Sequence, residues 1–356
     1  MTKTQPKVAI IIIHYNTPHF LKTCLDHIIK QTYRNIDIYF IDNNSPDKKG
    51  LNFVKQEYGK SKKDLKGKHL HIIPNKENLG YAKAANQGIH QASDADYIVI
   101  TNPDIIYSPT YFEKIVAKAE NEINKKGQNL AGITGKVYKY DFEEKKPTHI
   151  IDTVGLYLSP SGRVTDGGQG YEDKGQFDKE KEVFGISGAC PMYSKEALKD
   201  ARYKDEYFDE DFFMYKEDVD LSWRLQLLGY KFLYYPKALA FHGRGTGVVQ
   251  RDTLKKTLKN RRSLSKFQRY YGFRNQHLLL FKNLLWGNYI RNFHHIITRD
   301  ASTLVYSLLF EPFVLKSLKD YVKLIPKIAK KRKDLMKRKR ISAKRINRFT
   351  RMSPHK

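Results

Sequence analysis

The feature that most restricts the fold of this chain is an alternation of apolar, β-rich runs with helical patterns over its first 140 residues. Residues 8–13 read Val-Ala-Ile-Ile-Ile-Ile, and residues 36–41, 70–73, 97–101 and 130–137 are runs of the same kind. Each is short and continuous, as a strand buried on both faces would be. Between them the spacing is helical. Phe20, Leu21, Cys24, Leu25 and Ile28 fall along one face after Thr17-Pro18, which offers an N-cap and a proline for the first helical position. Residues 81–92 and 109–119 repeat the pattern. Strands alternating with helices predict a mostly parallel, doubly wound α/β sheet. Ligands of such sheets bind beyond the carboxyl ends of the strands, so the residues after each strand are the ones to inspect.

Those residues are polar in every case. The first strand runs into His14-Tyr-Asn16, the second into Asp42-Asn-Asn-Ser45, the third leads to residues 78–88, and the fourth ends in Thr101-Asn-Pro-Asp104. An aspartate and several asparagines can pair with a pyrimidine ring or a ribose hydroxyl. Gly80 is predicted to open a helix, whose free N–H groups and dipole favour phosphate. Lys83, or a bound cation, would neutralise a diphosphate. Asn and Asp also cap helices and make turns, so one such segment would say little. Four in succession at strand ends describe a ligand-binding edge. No Gly-rich dinucleotide fingerprint follows the first strand and no phosphate loop occurs, which counts against dinucleotide oxidoreductases and ATPases.

Two later segments carry chemistry. Residues 208–224 read Phe-Asp-Glu-Asp-Phe-Phe-Met-Tyr-Lys-Glu-Asp-Val-Asp-Leu-Ser-Trp-Arg, with acids gathered where a helix starts. Asp220 and Arg224 are spaced to pair along that helix, and Asp218 points elsewhere. A carboxylate beside Phe212, Phe213 and Tyr215 could have a raised pKa and act as a general base. The other segment is Phe241-His-Gly-Arg-Gly-Thr-Gly247, where His242 follows a strand and could join Asp104 on a metal. Residues 153–170 read as a hairpin insertion, and residues 231–235 and 238–241 as two late strands.

With these segments in order, the chain resembles the family 2 inverting glycosyltransferases, which have a GT-A nucleotide-sugar-binding fold. Within them it looks most like a bacterial rhamnosyltransferase group. The resemblance covers roughly residues 7–247. It rests on Ile12-Ile-His-Tyr-Asn16, Ile41-Asp-Asn-Asn-Ser45, residues 78–86, Asn102-Pro-Asp104, Gly188-Ala189, residues 208–220 and His242. It implies that Tyr15, Asn16, Asp42 and Asn44 line the nucleotide pocket, with Asp42 on the base. It implies that Asn78, Gly80, Lys83 and Asn86 hold ribose and diphosphate, and that Asn102 and Gly188 complete the donor site. Asn102-Pro-Asp104 stands where the family has Asp-X-Asp, so Asp104 would bind Mg²⁺ or Mn²⁺ with His242 as a further ligand. Asp218 would be the catalytic base. The partners implied are a nucleoside-diphosphate sugar (dTDP-rhamnose or a UDP-sugar) and a glycan or polyprenyl-linked acceptor in cell-surface polysaccharide synthesis. A processive synthase would add a Gln-X-X-Arg-Trp motif and membrane spans, and neither is found, so non-processive transfer is expected. A non-catalytic sugar-binding relative is the alternative, and Asp104, Asp218 and His242 argue against it.

Charge divides the chain. Residues 1–250 carry 36 Lys/Arg and 33 Asp/Glu, residues 251–325 carry 15 and 4, and residues 326–356 carry 14 and 1. A nearly neutral catalytic domain (1–250) is therefore expected, then an amphipathic, mostly helical region (251–325) and a polybasic tail (326–356). No run of about 18 apolar residues exists, so no membrane span is expected, and neither end reads as a removed targeting peptide. Aromatic and aliphatic residues interleaved with Lys and Arg suit an interfacial helix, and the runs at 330–333 and 337–340 suit anionic headgroups. The expectation is a cytoplasmic protein peripheral on the inner face of the membrane. Nucleic acid is not an expected partner, because it would leave the strand-end residues unexplained. Two cysteines, Cys24 and Cys190, exclude a disulfide scaffold.

Overall fold

A computed structural model describes residues 5–59, 65–243 and 260–353. The glycine loop after Gly243 and the division near residue 250 lie outside the described residues. The strands β1 (Val8–His14), β2 (Ile36–Asp42), β3 (His69–Pro74) and β4 (Tyr97–Thr101) are parallel neighbours in a ten-stranded sheet. β1, β2 and β4 are buried throughout, as their apolar runs predict, whereas β3 is the half-exposed edge. Their register sets His14 opposite Asp42 and Asp42 opposite Pro74, with Ile12 opposite Thr101. The polar strand ends therefore share one edge.

The pleat of β1 sends alternate residues to two cores. Val8, Ile10 and Ile12 pack with α1 (Pro18–Ile29) and α2 (Lys49–Tyr58). Ala9, Ile11 and Ile13 pack with α3 (Gly80–Gln91) on the other face. There Ala82, Ala84 and Ala85 are buried, and a Cβ at Gly88 would come within 2.5 Å of Ile11, so only a small-residue face lets α3 approach this closely. Thr17 does not cap α1 through its side chain as expected. Its N–H donates to His14 Nε2, and Pro18 takes the first helical position.

Beyond β4 come the short β5 (Ile105–Tyr107), α4 (Tyr111–Glu120), β6 (Leu130–Asp141) and β7 (Lys146–Thr153). The expected hairpin follows as β8 (Leu156–Leu158) and β9 (Val164–Asp166). After β10 (Lys181–Val183), β11 (Met192–Ser194) runs antiparallel between β4 and β6. Its entry, at Gly188 to Cys190, therefore lies at the carboxyl end of β4. Then come α5 (Lys195–Ala201) and α6 (Glu217–Leu227). The two late strands are one, β12 (Lys231–His242), with a register shift between Tyr235 and Leu239. Pro236 lies in that shift and has no N–H for the ladder, so the strand bulges there instead of ending.

The C-terminal residues form α7 (Lys266–Asn283), α8 (Trp286–Phe310), α9 (Pro312–Leu315), α10 (Ser317–Arg338) and α11 (Ala343–Phe349). Leu278, Leu279, Ile328, Leu335, Ile346 and Phe349 join the same core as α3 and α6. α10 runs through residue 325 without a break. Part of the polybasic run faces inward, although Lys330, Lys333, Lys337, Lys339 and Arg340 are exposed. Arg332 donates to the carbonyls of Phe281, Lys282 and Leu284 at the end of α7, and Arg338 donates to Asp200 O. Lys331 is 2 % exposed. Among the described residues no helix is long and apolar enough to cross a membrane.

Candidate active site

The first strand-end cluster is buried. His14 Nδ1 lies 3.0 Å from Asp42 Oδ1, and Ser45 Oγ donates to the same oxygen at 2.6 Å. Because His14 Nε2 accepts the Thr17 N–H, the ring proton sits on Nδ1 and points to Asp42. Burial pushes the His14 pKa down despite Asp42, which keeps the ring neutral. Ser45 Oγ also accepts the N–H of Asn16, whose φ of 55° turns the chain back. The cluster thus fixes the Tyr15–Asn16 turn, and Tyr15 projects to solvent. Asp42 keeps only Oδ2 without a hydrogen bond, 3.8 Å from Lys48 Nζ. Asn44 has a left-handed backbone and accepts from Lys48.

Asn43, which carried no expectation, organises the next segment. Its amide donates to Asn78 Oδ1 and Gly80 O and accepts from Leu79 N and Asn75 Nδ2. Two expectations about α3 need correction. The N–H groups of Tyr81 and Ala82 both donate to Phe213 O, at 2.7 and 3.2 Å, and Gly80 N donates to Asn78 Oδ1. The start of α3 is therefore closed by a carbonyl and a side chain, not open to phosphate. Gly80 is needed for its φ of +76° and because a Cβ would meet Phe213 at 2.5 Å. Asn86 is buried, and its amide bonds Phe208 O, Glu210 Oε1 and the N–H groups of Tyr207 and Phe208. It clamps residues 207–210 and has no capacity left for ribose or diphosphate. Lys83 is exposed.

Asp104 and His242 do come together, with His242 Nε2 3.3 Å from Asp104 Oδ2. His242 Nδ1 lies 2.8 Å from Asp152 Oδ2, and Asp152 is fully buried. Burial alone would lower the His242 pKa, but Asp152 and Asp104 outweigh it and raise it to about 9. A cation that displaced the Nε2 proton would meet one imidazole nitrogen and one carboxylate oxygen, with Asp152 behind the ring, a mixed set that would admit Mn²⁺ or Mg²⁺. Asn102 precedes this pair, partly buried. A second acidic group, Glu206, Asp209 and Asp211, surrounds Lys331 Nζ at 2.6, 2.6 and 2.8 Å. An ammonium already holds the place a cation would take.

Asp218 sits in the first turn of α6. Its Oδ2 accepts the Gly188 N–H at 2.8 Å, which ties it to the carboxyl end of β4. Burial is the main influence on its pKa and raises it, against the hydrogen bond from Gly188. Glu217 beside it is raised to about 8, by burial and then by Asp218. Burial, Glu217, Asp218 and Asp104 all push up the pKa of the buried Tyr81 hydroxyl, so both acidic groups are within electrostatic reach of one side chain. The segment leading to Asp218 is sharply turned, with φ of 61°, 68° and 71° at Phe213, Tyr215 and Lys216. A single amide in α7 holds it there: Asn275 Nδ2 donates to the carbonyls of Phe212, Met214 and Tyr215. Asp220 pairs with Arg224 as expected, and also with Lys282 and Asn283 of α7.

The resulting site is an edge of a doubly wound sheet with a carboxylate–imidazole pair on one strand end and a pinned, buried-side carboxylate nearby. The glycosyl transferase family 2 model matches residues 9–202, and a glycosyl transferase family group 2 model matches residues 168–317. The chain belongs to glycosyl transferase family 2. It is 27 % identical over 254 residues to the N-acetylglucosaminyl-diphospho-decaprenol L-rhamnosyltransferase of Mycobacterium tuberculosis, covering 68 % of this chain and 76 % of that one. It is 26 % identical over 242 residues to the poly-β-1,6-N-acetyl-D-glucosamine synthase of Staphylococcus epidermidis, covering 66 % of this chain but 49 % of the synthase. Among solved structures, S. aureus TarS 1-349 in complex with UDP-GlcNAc superposes with a TM-score of 0.52 at 16 % identity, over 97 % of this chain and 89 % of that one. GalNAc-T7 with UDP, GalNAc and Mn²⁺ gives 0.51 at 15 % identity, over 79 % of this chain and 52 % of that one. These likenesses show the GT-A fold. The chain is a glycosyltransferase of this fold.

Proposed function

We propose that the chain is an inverting, non-processive glycosyltransferase that moves one sugar from dTDP-rhamnose or a UDP-sugar to a hydroxyl of a lipid-linked glycan. The observation that carries this reading is the Gly188 N–H···Asp218 hydrogen bond, which ties a carboxylate of raised pKa to the strand edge that also bears Asp104 and His242. The nucleotide lies along Tyr15, Asn16, Asn44 and Asp42 Oδ2, and the diphosphate runs past Asn78, Lys83 and Asn102. Asp104 and His242 would hold Mg²⁺ or Mn²⁺, and such a cation would supply charge to offset the departing diphosphate. Asp152 fixes the His242 ring so that Nε2 faces Asp104. Asp218 takes the proton of the acceptor hydroxyl as that oxygen attacks the anomeric carbon opposite the leaving group, and one displacement inverts the centre. The mycobacterial relative's name, a rhamnosyltransferase of a polyprenyl diphosphate acceptor, favours rhamnose and a lipid-linked acceptor.

The same reading puts the protein on the inner face of the membrane. Trp286, Ile290, Phe293, Ile297, Leu304 and Leu308 recur at helical spacing on α8 and are 44–73 % exposed. An apolar stripe of this length on an otherwise basic helical region suits a lipid interface. Asp218→Asn tests the chemistry. Transfer is expected to fall about 10²–10⁴-fold, with binding of the nucleotide sugar in Mn²⁺ within twofold of wild type. Full turnover of this variant would remove Asp218 from the mechanism.

A further inference from the structure

Each carbonyl oxygen from Asp211 to Tyr215, the run that leads into Asp218, accepts a hydrogen bond from a helix outside it. Arg274 Nη2 donates to Asp211 O at 2.8 Å and to Phe212 O at 3.1 Å. Asn275 Nδ2 donates to Phe212 O, Met214 O and Tyr215 O at 2.9, 2.9 and 2.7 Å. The remaining carbonyl, Phe213 O, faces the N–H groups of Tyr81 and Ala82 on α3. Phe213, Tyr215 and Lys216 all have positive φ, a backbone that is costly for residues other than glycine. The run keeps this shape only because its carbonyls are held, and two adjacent residues of α7 hold all of them except Phe213 O.

Arg274 governs its neighbour. Its Nε donates to Asn275 Oδ1 at 2.9 Å. A guanidinium can only donate, so the amide turns its oxygen to Arg274 and its NH2 to the carbonyls. Reversed, the amide would set its own oxygen against those of Phe212, Met214 and Tyr215. Arg274 is itself firmly seated. It is 7 % exposed, and its Cζ lies 4.6 Å from the centre of the Tyr271 ring, which stacks on Phe213 at 5.4 Å. Its hydrogen bonds go to carbonyls and an amide rather than to a carboxylate.

The clamp ends at Tyr215, just before α6 begins. Lys216 O accepts the Asp220 N–H at 2.8 Å, so the first turn of α6 stands where Tyr215 is held. On that turn Asp218 Oδ2 takes the Gly188 N–H at 2.8 Å. The hydrogen bonds thus connect Arg274 to Asn275, Asn275 to Tyr215, and through the start of α6 to the carboxylate.

We propose that Arg274 is a positioning residue for Asp218: its planar guanidinium orients the Asn275 amide, and that amide fixes the first turn of α6 and the aim of the carboxylate. This rests on the glycosyltransferase reading above and adds a residue that neither the strand ends nor the acidic run supplies. A carboxylate misplaced by about 1 Å costs about 10²-fold in rate.

Arg274→Gln and Arg274→Lys are compared with wild type and with Asp218→Asn, each as the full chain in Mn²⁺. Two quantities are read on each sample. One is release of nucleoside diphosphate from dTDP-rhamnose and from UDP-GlcNAc, with water as the acceptor. The other is the exchange rate of the Gly188 amide hydrogen, followed by nuclear magnetic resonance. In both Arg274 variants kcat is expected to fall about 10–100-fold with the donor KM within about twofold. Gly188 exchange is expected to quicken about tenfold or more. The lysine variant keeps a buried cation and guards against loss of the fold, but an ammonium cannot reproduce the planar fork. A merely structural role would lower the melting temperature without separating kcat from KM. Wild-type kcat or unchanged Gly188 exchange in folded Arg274→Lys overturns the proposal. So does a raised KM with unchanged kcat, which would make Arg274 a donor contact. If Gly188 exchange quickens in the Arg274 variants while turnover is indifferent to Asp218→Asn, the positioning stands and the reading of Asp218 as the base falls.

Discussion

Glu217 and Asp218 are adjacent carboxyl groups with different tasks. Asp218 reaches Gly188 and remains partly accessible, whereas Glu217 is 7 % exposed and its Oε2 has no hydrogen-bond partner. A proton on Glu217 relieves both the burial and the repulsion, which is why its pKa rises from 4.5 to about 8. The folded state therefore holds a proton that the unfolded chain releases, and stability is lost as pH rises from about 4.5 to about 8. Glu217→Gln imitates the protonated form. The melting temperature of wild type should fall more between pH 5 and pH 9 than that of Glu217→Gln, and parallel curves would show that Glu217 titrates normally. If Asp218 is the base, as proposed, it must be ionised, so kcat/KM should rise with pH through an inflection above the ordinary aspartate range. Asp152 shows how a site residue escapes a reading of motifs. It ends the apolar Ile150-Ile151 stretch of β7, and a charged residue in a buried strand was the available signal, but nothing local links it to His242 ninety positions later.

At the level of elements, the strands were legible because buried parallel strands are written as continuous apolar runs, and β1, β2 and β4 fall within one or two residues of expectation. Their polar ends were legible for the same reason. What closes those ends was not. The Phe213 carbonyl that caps α3 and the contact of Asn86 with Phe208 depend on chain positions more than 120 residues apart. One lysine of the basic runs was illegible in a similar way. A run of lysines reads as a solvated or lipid-facing surface, yet Lys331 faces acids at 206, 209 and 211 that are gathered only by the fold. Lys331 and Lys282 together hold Asp209 well below the usual carboxylate range, although burial alone would raise it. Lys331→Met removes one cation from this buried cluster and should cost about 3–5 kcal/mol in urea unfolding. A loss under about 1 kcal/mol would mean that the cluster is open to water. α8 carries the opposite prediction. Ile290→Gln/Phe293→Gln/Ile297→Gln should lower recovery with anionic vesicles in flotation while leaving the urea midpoint nearly unchanged, and undiminished recovery would move the lipid contact elsewhere.

On the scale of the whole molecule, the sheet carries the Asp104–His242 pair and the C-terminal helices position Asp218. Strand register alone brings His14, Asp42 and the end of β4 to one edge, and β12 delivers His242 to Asp104. Asp218 depends on α7, whose Asn275 holds the turned segment before it and whose Lys282 and Asn283 hold Asp220. Composition divides the chain into a neutral body and a basic appendage, but folding does not, because buried ion pairs between them neutralise part of the excess charge. A chain cut near residue 250 would therefore lack the support of Asp218, the proposed base. The central claim is a single displacement assisted by Asp218, and the anomeric configuration of the product reads it directly. With a donor that supports transfer, the nuclear magnetic resonance coupling at the new anomeric centre should show the configuration opposite to that of the donor. A product with the donor's configuration retained would require two displacements and would contradict the account.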